Sequence, residues 1–582
     1  MFTRLVEVVR GARGILVADA GADDSVIDFL RFCRPGEPIR LIEMPEPEDA
    51  GIEATVLSGE KGVYGTAVDQ AAADLHRGER LWIATESAEN AEKVGAFIRD
   101  VTANADRPVR VLIVTARNKA EPDQEAFLKD PEHESRRWDC VIASPVIASG
   151  ISIEHRDAPH FTRGIYLGTG QALTPADAAQ QLRRVRYLRR FLIALAQNNA
   201  TGGRSVEAIL RGRVEAAADE GVPRAPGTFD HLIARFEAQE ANAKADFAAG
   251  LWWQLEAAGW RLSRGTVAAG EATDALRQIA RDRAEDRARR LVEASRRIAD
   301  LSRDQIDALR RTGATGADAD LVEAFDLSEA LGGAELTPED VAFADAGGLA
   351  HLDRFDDLAG IASVAMTDRD RDAALVHRRL RIARAKHYRE IFEGVDPLSP
   401  VPWLTRARAE AILDRVLARA DAYVASGAIP ARYAARFGQA AAVRPRDPVK
   451  AIQAILARAG LGTVVTQVRA PVSQIPPDCV TESTPICDTM PSQGAAQGGV
   501  ERRYAARPED VAAMEKRSAI RFAARANASH PAHIQAVNRL LNRLDSTGVP
   551  YQVRIQRRDS DDLADAIPDP WGREVARRVS FA

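Results

Sequence analysis

WDCVIASPVIASGISI, residues 138–153, decides how the chain is read. An apolar run ends at Ser144, a short turn with a proline follows, and Gly150 permits a close backbone approach before a second apolar pair. A buried strand that leaves a sheet into a loop has this pattern, and so does a strand and turn with an incidental glycine. The surroundings favour the first. RGILVADAG (13–21), PIRLIE (38–43), RLWIAT (80–85), VRVLIVTA (109–116) and RGIYLGT (163–169) are further short apolar runs. Helical periodicity fills 25–32, 66–76, 88–102 and 177–196 between them. Strands joined by crossover helices imply a mostly parallel sheet with helices on its faces, so an α/β domain is expected over 1–200.

Beyond residue 200 the pattern turns helical and alanine-rich, broken at Gly265, Gly313, the Gly332–Gly333 pair, Pro397 and Pro400. The predicted units are a helical, coiled-coil-like domain at 205–335, a second helical domain at 336–440 and a small helix–strand module at 441–470. A flexible linker at 471–505, rich in Pro, Ser, Thr and Gly, then leads to a small helical and strand segment at 506–582. A chain of 582 residues is too long for one core, so several domains are expected.

Composition excludes some classes. No apolar run approaches the about 20 residues that span a bilayer, so no membrane association is expected. Cys33, Cys140, Cys479 and Cys487 have no CxxC spacing, which argues against a disulfide framework or structural zinc and for a cytoplasmic setting. Net charge is −5, so any nucleic-acid contact must come from local clusters such as Arg183, Arg184, Arg186, Arg189 and Arg190. Residues 277–311 are also arginine-rich, but acidic neighbours at helical spacing make a solvated face the better reading there.

DAAQQLRRVR (177–186) places glutamine and arginines on one helix face, which suits a nucleotide held between two lobes: arginine stabilises charge developing on a γ-phosphate. With the segments around it, it resembles the motif series of superfamily 2 nucleic-acid helicases. IASPVIASGISI (142–153) resembles motif V, A-T-D-x-x-x-x-G-I-D-I, with Ser144 at the threonine and Ser152 at the aspartate. DAAQQLRRVR resembles motif VI, Q-x-x-G-R-x-x-R, with Arg183 at the glycine and the last arginine displaced to Arg186. LWIATESAENAEKVGAFI (81–98) resembles motif IV, and VRVLIVTARNK (109–119) the strand after it. ILVADAGADDSVIDFL (15–30) resembles motif III, with Ala18–Asp19–Ala20 for S-A-T.

That triplet, the Q-x-x-R-R-x-R variant and the helical tail look like the plasmid replication initiator family first described from cyanobacterial plasmids. Its helicase core is similar to the herpesvirus origin-binding proteins. The resemblance spans about residues 13–195, with a weaker echo in RPRDPVKAIQAILARAGL (444–461). It implies a RecA-like parallel sheet, the second motor lobe, in an ATP-dependent helicase that acts on single-stranded or origin DNA in plasmid replication initiation. It also implies that Thr85, Ser87, Thr115 and Ser144 meet nucleic-acid phosphates, and that Gly150, Ser152, Gln180 and Gln181 face the nucleotide. The catalytic arginine lies among Arg183, Arg184 and Arg186; Arg184 keeps the i+4 relation to Gln180 and is preferred, and the choice stays open.

A complete motor also needs GxxxxGK[ST] to cradle phosphates and a strand ending in Asp-Glu for Mg²⁺. Neither occurs here; GEKGVYG (59–65) has the wrong order, and no DExx strand precedes residue 13. The expectation is a chain that starts after lobe one, whether a truncated frame, one half of a split protein or a decayed remnant. ATP and Mg²⁺ are then expected only if a partner chain carrying lobe one supplies their site. The alternative is a non-enzymatic DNA-binding or protein-docking module with a vestigial lobe.

Other candidates are weaker. His155 and His160 fall in a loop, so no metal site is expected. Trp252, Trp253 and Trp260 suit base stacking beside Arg261, but core anchoring is the commoner use. TDRDRDAALVHRRLRIARAK (367–386) is the best phosphate-tracking surface outside the motor. No GxSxG elbow supports a hydrolase.

Overall fold

The computed structural model describes residues 2–17, 24–42, 51–59, 62–105, 107–147, 151–156, 158–196, 203–219, 225–268, 270–298, 301–332, 335–360, 374–433, 444–469, 500–525, 553–555 and 579–581. Gly150, the 18–20 triplet and nearly all of the expected linker lie outside them. Two short helices, α1 (Phe2–Gly11) and α2 (Asp24–Cys33), precede the sheet. Then come β1 (Glu53–Gly59), α3 (Val63–His76), β2 (Leu81–Thr85), α4 (Ala88–Val101), β3 (Val111–Val114), α5 (Pro122–Lys129) and α6 (Pro131–Glu134). β4 (Cys140–Ala143), β5 (Arg163–Gly168), α7 (Pro175–Leu182) and β6 (Arg190–Ala196) follow. Three helices, α8 (Val206–Asp219), α9 (Thr228–Ala245) and α10 (Phe247–Ala257), lead to β7 (Arg261–Arg264).

The seven strands form one sheet, all parallel, in the order β3-β4-β2-β5-β6-β1-β7. The chain is α/β, as expected, with mainly helical structure after the sheet. Strand side chains alternate between two cores. Trp82, Leu112, Val141, Tyr166 and Ile193 meet Phe127, Leu182, Phe247 and Leu251 from α5, α7 and α10. Leu81, Ile83, Val111, Ile142 and Leu192 meet Val68, Val94 and Ile98 from α3 and α4 on the other face. After β2 the chain crosses toward β3, whereas after β5 it crosses toward β6, so the connections diverge between the neighbouring strands β2 and β5. Parallel α/β sheets open a crevice at such a point, outside the strands' carboxyl ends.

Several local expectations need correction. The helix expected over 177–196 stops at Leu182, and Arg190–Ala196 is β6. Phe191, Ile193 and Leu195 fill one core while Leu192 and Ala194 fill the other. Burying such a side chain is worth about 1.5–3 kcal/mol, whereas helix propensities of ordinary residues differ by about 0.7 kcal/mol at most, so burial wins. Residues 14–17 and 37–42 are not strands; Leu16, Leu41 and Ile42 are exposed, so neither run has a sheet to bury it. β1 and β7 went unread because neither is a continuous apolar run. β7 lies within the expected helical domain, so the sheet reaches past residue 200.

The remaining elements are α11 (Ala272–Ile298), α12 (Arg303–Thr312), α13 (Ala317–Leu331), α14 (Pro338–Asp345), α15 (Gly348–Leu358), α16 (Ala374–Ile391), α17 (Arg406–Ala418), α18 (Ala420–Ala425) and α19 (Pro448–Arg458). They end in β8 (Thr463–Arg469), β9 (Val500–Ala506), α20 (Pro508–Arg525), β10 (Val553–Ile555) and β11 (Val579–Phe581). One apolar core runs from Ala288 and Leu291 of α11 through Phe355, Tyr388 and Ile455 to Met514 of α20. It therefore draws on segments that sequence pattern had parted near 335, 440 and 505. β9 pairs antiparallel with β8, so residues 500–505 are strand rather than linker. The arginines of α11 pair across to Asp320 and Glu323 of α13 and Asp345 of α14. Among the described residues no helix is long and apolar enough to cross a membrane.

Candidate functional site

Parallel strands bring their carboxyl ends to one edge, and register fixes what stands there. Val114 faces Ala143, and Ala143 faces Ala84, so Thr115, Ser144 and Thr85 follow one another along that edge. All three are buried. The Thr85 hydroxyl donates to the Ser87 carbonyl at 2.9 Å, and the Thr115 hydroxyl to Asn118 Oδ1 at 3.1 Å. Ser144 Oγ accepts from the Val146 amide at 3.5 Å. Ser87 caps α4, its side chain accepting from the Asn90 amide at 3.1 Å. The hydroxyl row thus shapes the turns at the edge, with Ser87 the member on the surface side.

The segments resembling motifs V and VI come together. α7 starts with a capping box, Thr174 with Asp177, and Pro175 in its first turn. It ends where Arg183 leaves helical geometry, which turns the chain so that Val185 forms an isolated parallel bridge with Ile153. The Ile153 amide donates to the Arg184 carbonyl at 2.8 Å, and the Arg186 amide to the Ile153 carbonyl at 2.8 Å. Side chains reinforce the join. Arg184 Nη1 donates to the Ile151 carbonyl at 3.1 Å, and Arg186 Nε to Ser152 Oγ at 3.1 Å. Burial, then the Arg186 charge, pulls Arg184 below the ordinary arginine value, while Arg186 itself is exposed. Gln180 is half-buried; Gln181 is buried, and neither of its amide atoms has a hydrogen-bond partner among the described residues. The patch is therefore cationic with one unsatisfied amide.

Sequence reading missed Glu86. It follows β2 at the divergence between β2 and β5 and is buried. Its carboxylate accepts from the Thr169 amide at 2.8 Å, the Thr169 hydroxyl at 2.7 Å, the Gly170 amide at 2.8 Å and the Tyr166 hydroxyl at 3.3 Å. Gly170 holds φ +73, and a Cβ there would lie 2.4 Å from the Phe247 ring, so no larger residue fits this turn. Burial, then the Glu86 charge, raises the Tyr166 and Tyr64 hydroxyls above the usual tyrosine value. A lone glutamate after a strand carries no sequence signal; only the fold supplies its donors.

Other candidates resolve by contact. His155, buried at φ +43, has Nε2 at 3.1 Å from Ser135 Oγ and 2.9 Å from the Glu132 carbonyl. Among the described residues no group of three or more metal-ligand side chains occurs. Trp260 packs on Phe191, Trp252 is half-buried under Arg264, and Trp253 is exposed. In the 367–386 segment, Arg381 and Arg384 are buried against Asp357, which corrects its reading as a phosphate-tracking surface at those two positions.

No family model matches the chain, and no curated protein matches it. A solved structure described as "S. cerevisiae Dbp5 bound to RNA and ADP BeF3" is similar at 14% identity, with a TM-score of 0.25, over 45% of this chain and 53% of that one. The likeness spans about half of that chain, and at that score it carries no inference.

Proposed function

We propose that the α/β unit is a nucleic-acid motor lobe of the superfamily 2 helicase type, acting on DNA and completing an ATP site whose phosphate loop another lobe supplies. The observation that carries this reading is the Ile153–Val185 bridge, which joins two segments picked out by their resemblance to motifs V and VI, 32 residues apart in the chain. Arg184 and Arg186 then suit phosphates: those of a nucleotide held by an opposing lobe and, for the exposed Arg186, one of the strand. Residues 151–153 and 180–186 contain no carboxylate, so the patch fits phosphate and does not fit Mg²⁺. Role in plasmid replication initiation rests on the sequence resemblance alone.

The experiment is fluorescence anisotropy of a labelled single-stranded oligonucleotide across a salt series. Binding whose logarithm falls linearly with log salt is expected, with a slope lowered by about 1 in Arg186→Ala if that cation meets a phosphate. Absence of binding by the full chain at low salt would overturn this reading and leave, of the alternative, the protein-docking module with a vestigial lobe.

A further inference from the structure

The helical unit holds a second concentration of cations, distant in sequence from the motor segments. Arg354 lies on α15, Arg384 and Tyr388 one turn apart on α16, Arg458 at the end of α19, and Arg432 in the tight turn 431–433. Packing draws them together. A Cβ on Gly460 would lie 3.3 Å from His351 Cβ, so the end of α19 rests on α15 one turn before Arg354. Arg384 Nη1 comes within 3.7 Å of the corresponding point on Gly427, in the turn that leads to Arg432.

The acids nearby are already answered. Asp357 takes Arg381 and Arg384, and Asp356 takes Arg521 and Ser518. Arg354 and Arg458 keep buried Nε atoms with no hydrogen-bond partner among the described residues. The Tyr388 hydroxyl is likewise unpartnered, on a side chain only 1% exposed. Burial, then Arg354, Arg384 and Arg432, holds Arg458 below the ordinary arginine value. Arg354 is lowered by burial and by Arg384, against Tyr388, Asp353 and Asp357. A groove of about 340 Å³ lined by Arg432, Arg444, Asp447 and Lys450 meets this cluster through Arg432, and Arg444 in it is paired with Asp414.

Long arginines commonly bury their stems and keep their heads in water. That reading leaves the Tyr388 hydroxyl without purpose, since an unpaired buried donor costs about 1–3 kcal/mol. Crowded cations add to the cost. A phosphate group offers several acceptor oxygens and negative charge, one unit in a backbone phosphodiester and more in a free polyphosphate, which satisfies both.

We propose that Arg354, Arg432, Arg458 and the Tyr388 hydroxyl form a phosphate-binding site in the helical unit, for a phosphate of a nucleic-acid backbone or of a free polyphosphate.

The test is calorimetric titration of the full chain with sodium tripolyphosphate, alongside melting curves with and without it. Wild type should bind and melt higher with tripolyphosphate. Arg458→Gln and Tyr388→Phe should each bind about tenfold more weakly. Without anion, neither variant should melt lower than wild type, because each removes an unsatisfied group; an arginine with a merely structural role would instead melt lower when replaced. Arg406→Gln, an exposed arginine on α17, controls for loss of charge alone. Competition between tripolyphosphate and a single-stranded oligonucleotide, with both weakened in Arg458→Gln, assigns the site to a backbone phosphate. Unchanged oligonucleotide binding in Arg458→Gln assigns it to a free polyphosphate. No tripolyphosphate binding by wild type, undiminished binding in Arg458→Gln, or equal weakening in Arg406→Gln overturns the proposal.

Discussion

The Thr169 hydroxyl donates to the Glu86 carboxylate at 2.7 Å, tying the end of β5 to the end of β2 where their connections part. Glu86 is buried and answers four donors there. Glu86→Ala would strand two backbone amides and two hydroxyls, each worth about 1–3 kcal/mol when unpaired, so a loss of at least about 3 kcal/mol is expected. Thr169→Val removes one donor and should cost about 1 kcal/mol. Urea unfolding monitored by circular dichroism reads both; near-equal midpoints for wild type and Glu86→Ala would show that the carboxylate does not hold the β2 and β5 ends together.

Arg184 and Arg186 are expected to separate structure from binding. Arg184 is half-buried and donates to the Ile151 carbonyl, so Arg184→Ala should cost about 1–2 kcal/mol of stability. Arg186 is exposed with one bond to Ser152, and Arg186→Ala should stay within about 0.5 kcal/mol. Oligonucleotide anisotropy and urea melts on the two variants check the split. Equal stability losses would place Arg186, too, in the framework.

How much of this was legible follows from what each strand presents. β2, β3 and β4 are buried throughout, so their apolar runs stand out as strands in the sequence. β6 is as apolar but follows RYLR (186–189) without a break, and the arginines before it extend the helical period of α7 into it. β1 carries Glu53, Thr55 and Ser58, and β7 only one apolar residue, so backbone pairing rather than hydrophobic pattern places them. The order of the candidate segments was readable; that Thr85, Thr115 and Ser144 are buried was not, because edge position depends on neighbours 29 residues or more away. Arg381 shows the same limit: its sequence neighbours give no hint of Asp357 behind it.

Acid should loosen the segment that carries Ile153. His155 lies two residues on; burial, ahead of Arg136 and His133, holds its imidazole below the usual histidine value against Glu132. His160 beside it is lowered by burial, then by Arg80, His155 and Arg136. A depressed histidine stays neutral in the folded chain while the unfolded chain takes up the proton. Stability is therefore constant above pH about 6.5 and falls as pH drops below it, until the folded-state value is passed. His155→Gln should flatten that decline in melts between pH 7.5 and 5; an unchanged decline would assign it to other groups.

Residues 1–582 alone should not hydrolyse ATP. Their sequence holds no GxxxxGK[ST] loop, and the arginine patch holds no carboxylate for Mg²⁺. An arginine can stabilise charge only on a nucleotide that something else holds in line. Phosphate release by the purified chain should match the buffer blank with or without single-stranded DNA. DNA-stimulated turnover would mean that the chain builds a nucleotide site from groups outside the motif-like segments.

The α16 arginines give the sharpest contrast between charge that faces water and charge that does not. Arg381 and Arg384 are 5% and 6% exposed, and Asp356 and Asp357 are fully buried. Arg381 donates to Asp357 at 3.0 Å and stands 3.5 Å from Asp356, while Arg521 of α20 closes on Asp356 and Asp353. These pairs tie α15, α16 and α20 into one core. Removing one partner of a buried pair strands the other and costs about 3–5 kcal/mol, more than a surface pair, at about 0–1 kcal/mol. Arg381→Ala is thus expected to lower the midpoint of urea unfolding sharply. Oligonucleotide affinity, measured where the variant is still folded, should not change. The reverse outcome, a stable variant with weakened and less salt-dependent DNA binding, would restore the phosphate-tracking role to this helix and remove the buried network as the reason for its arginines.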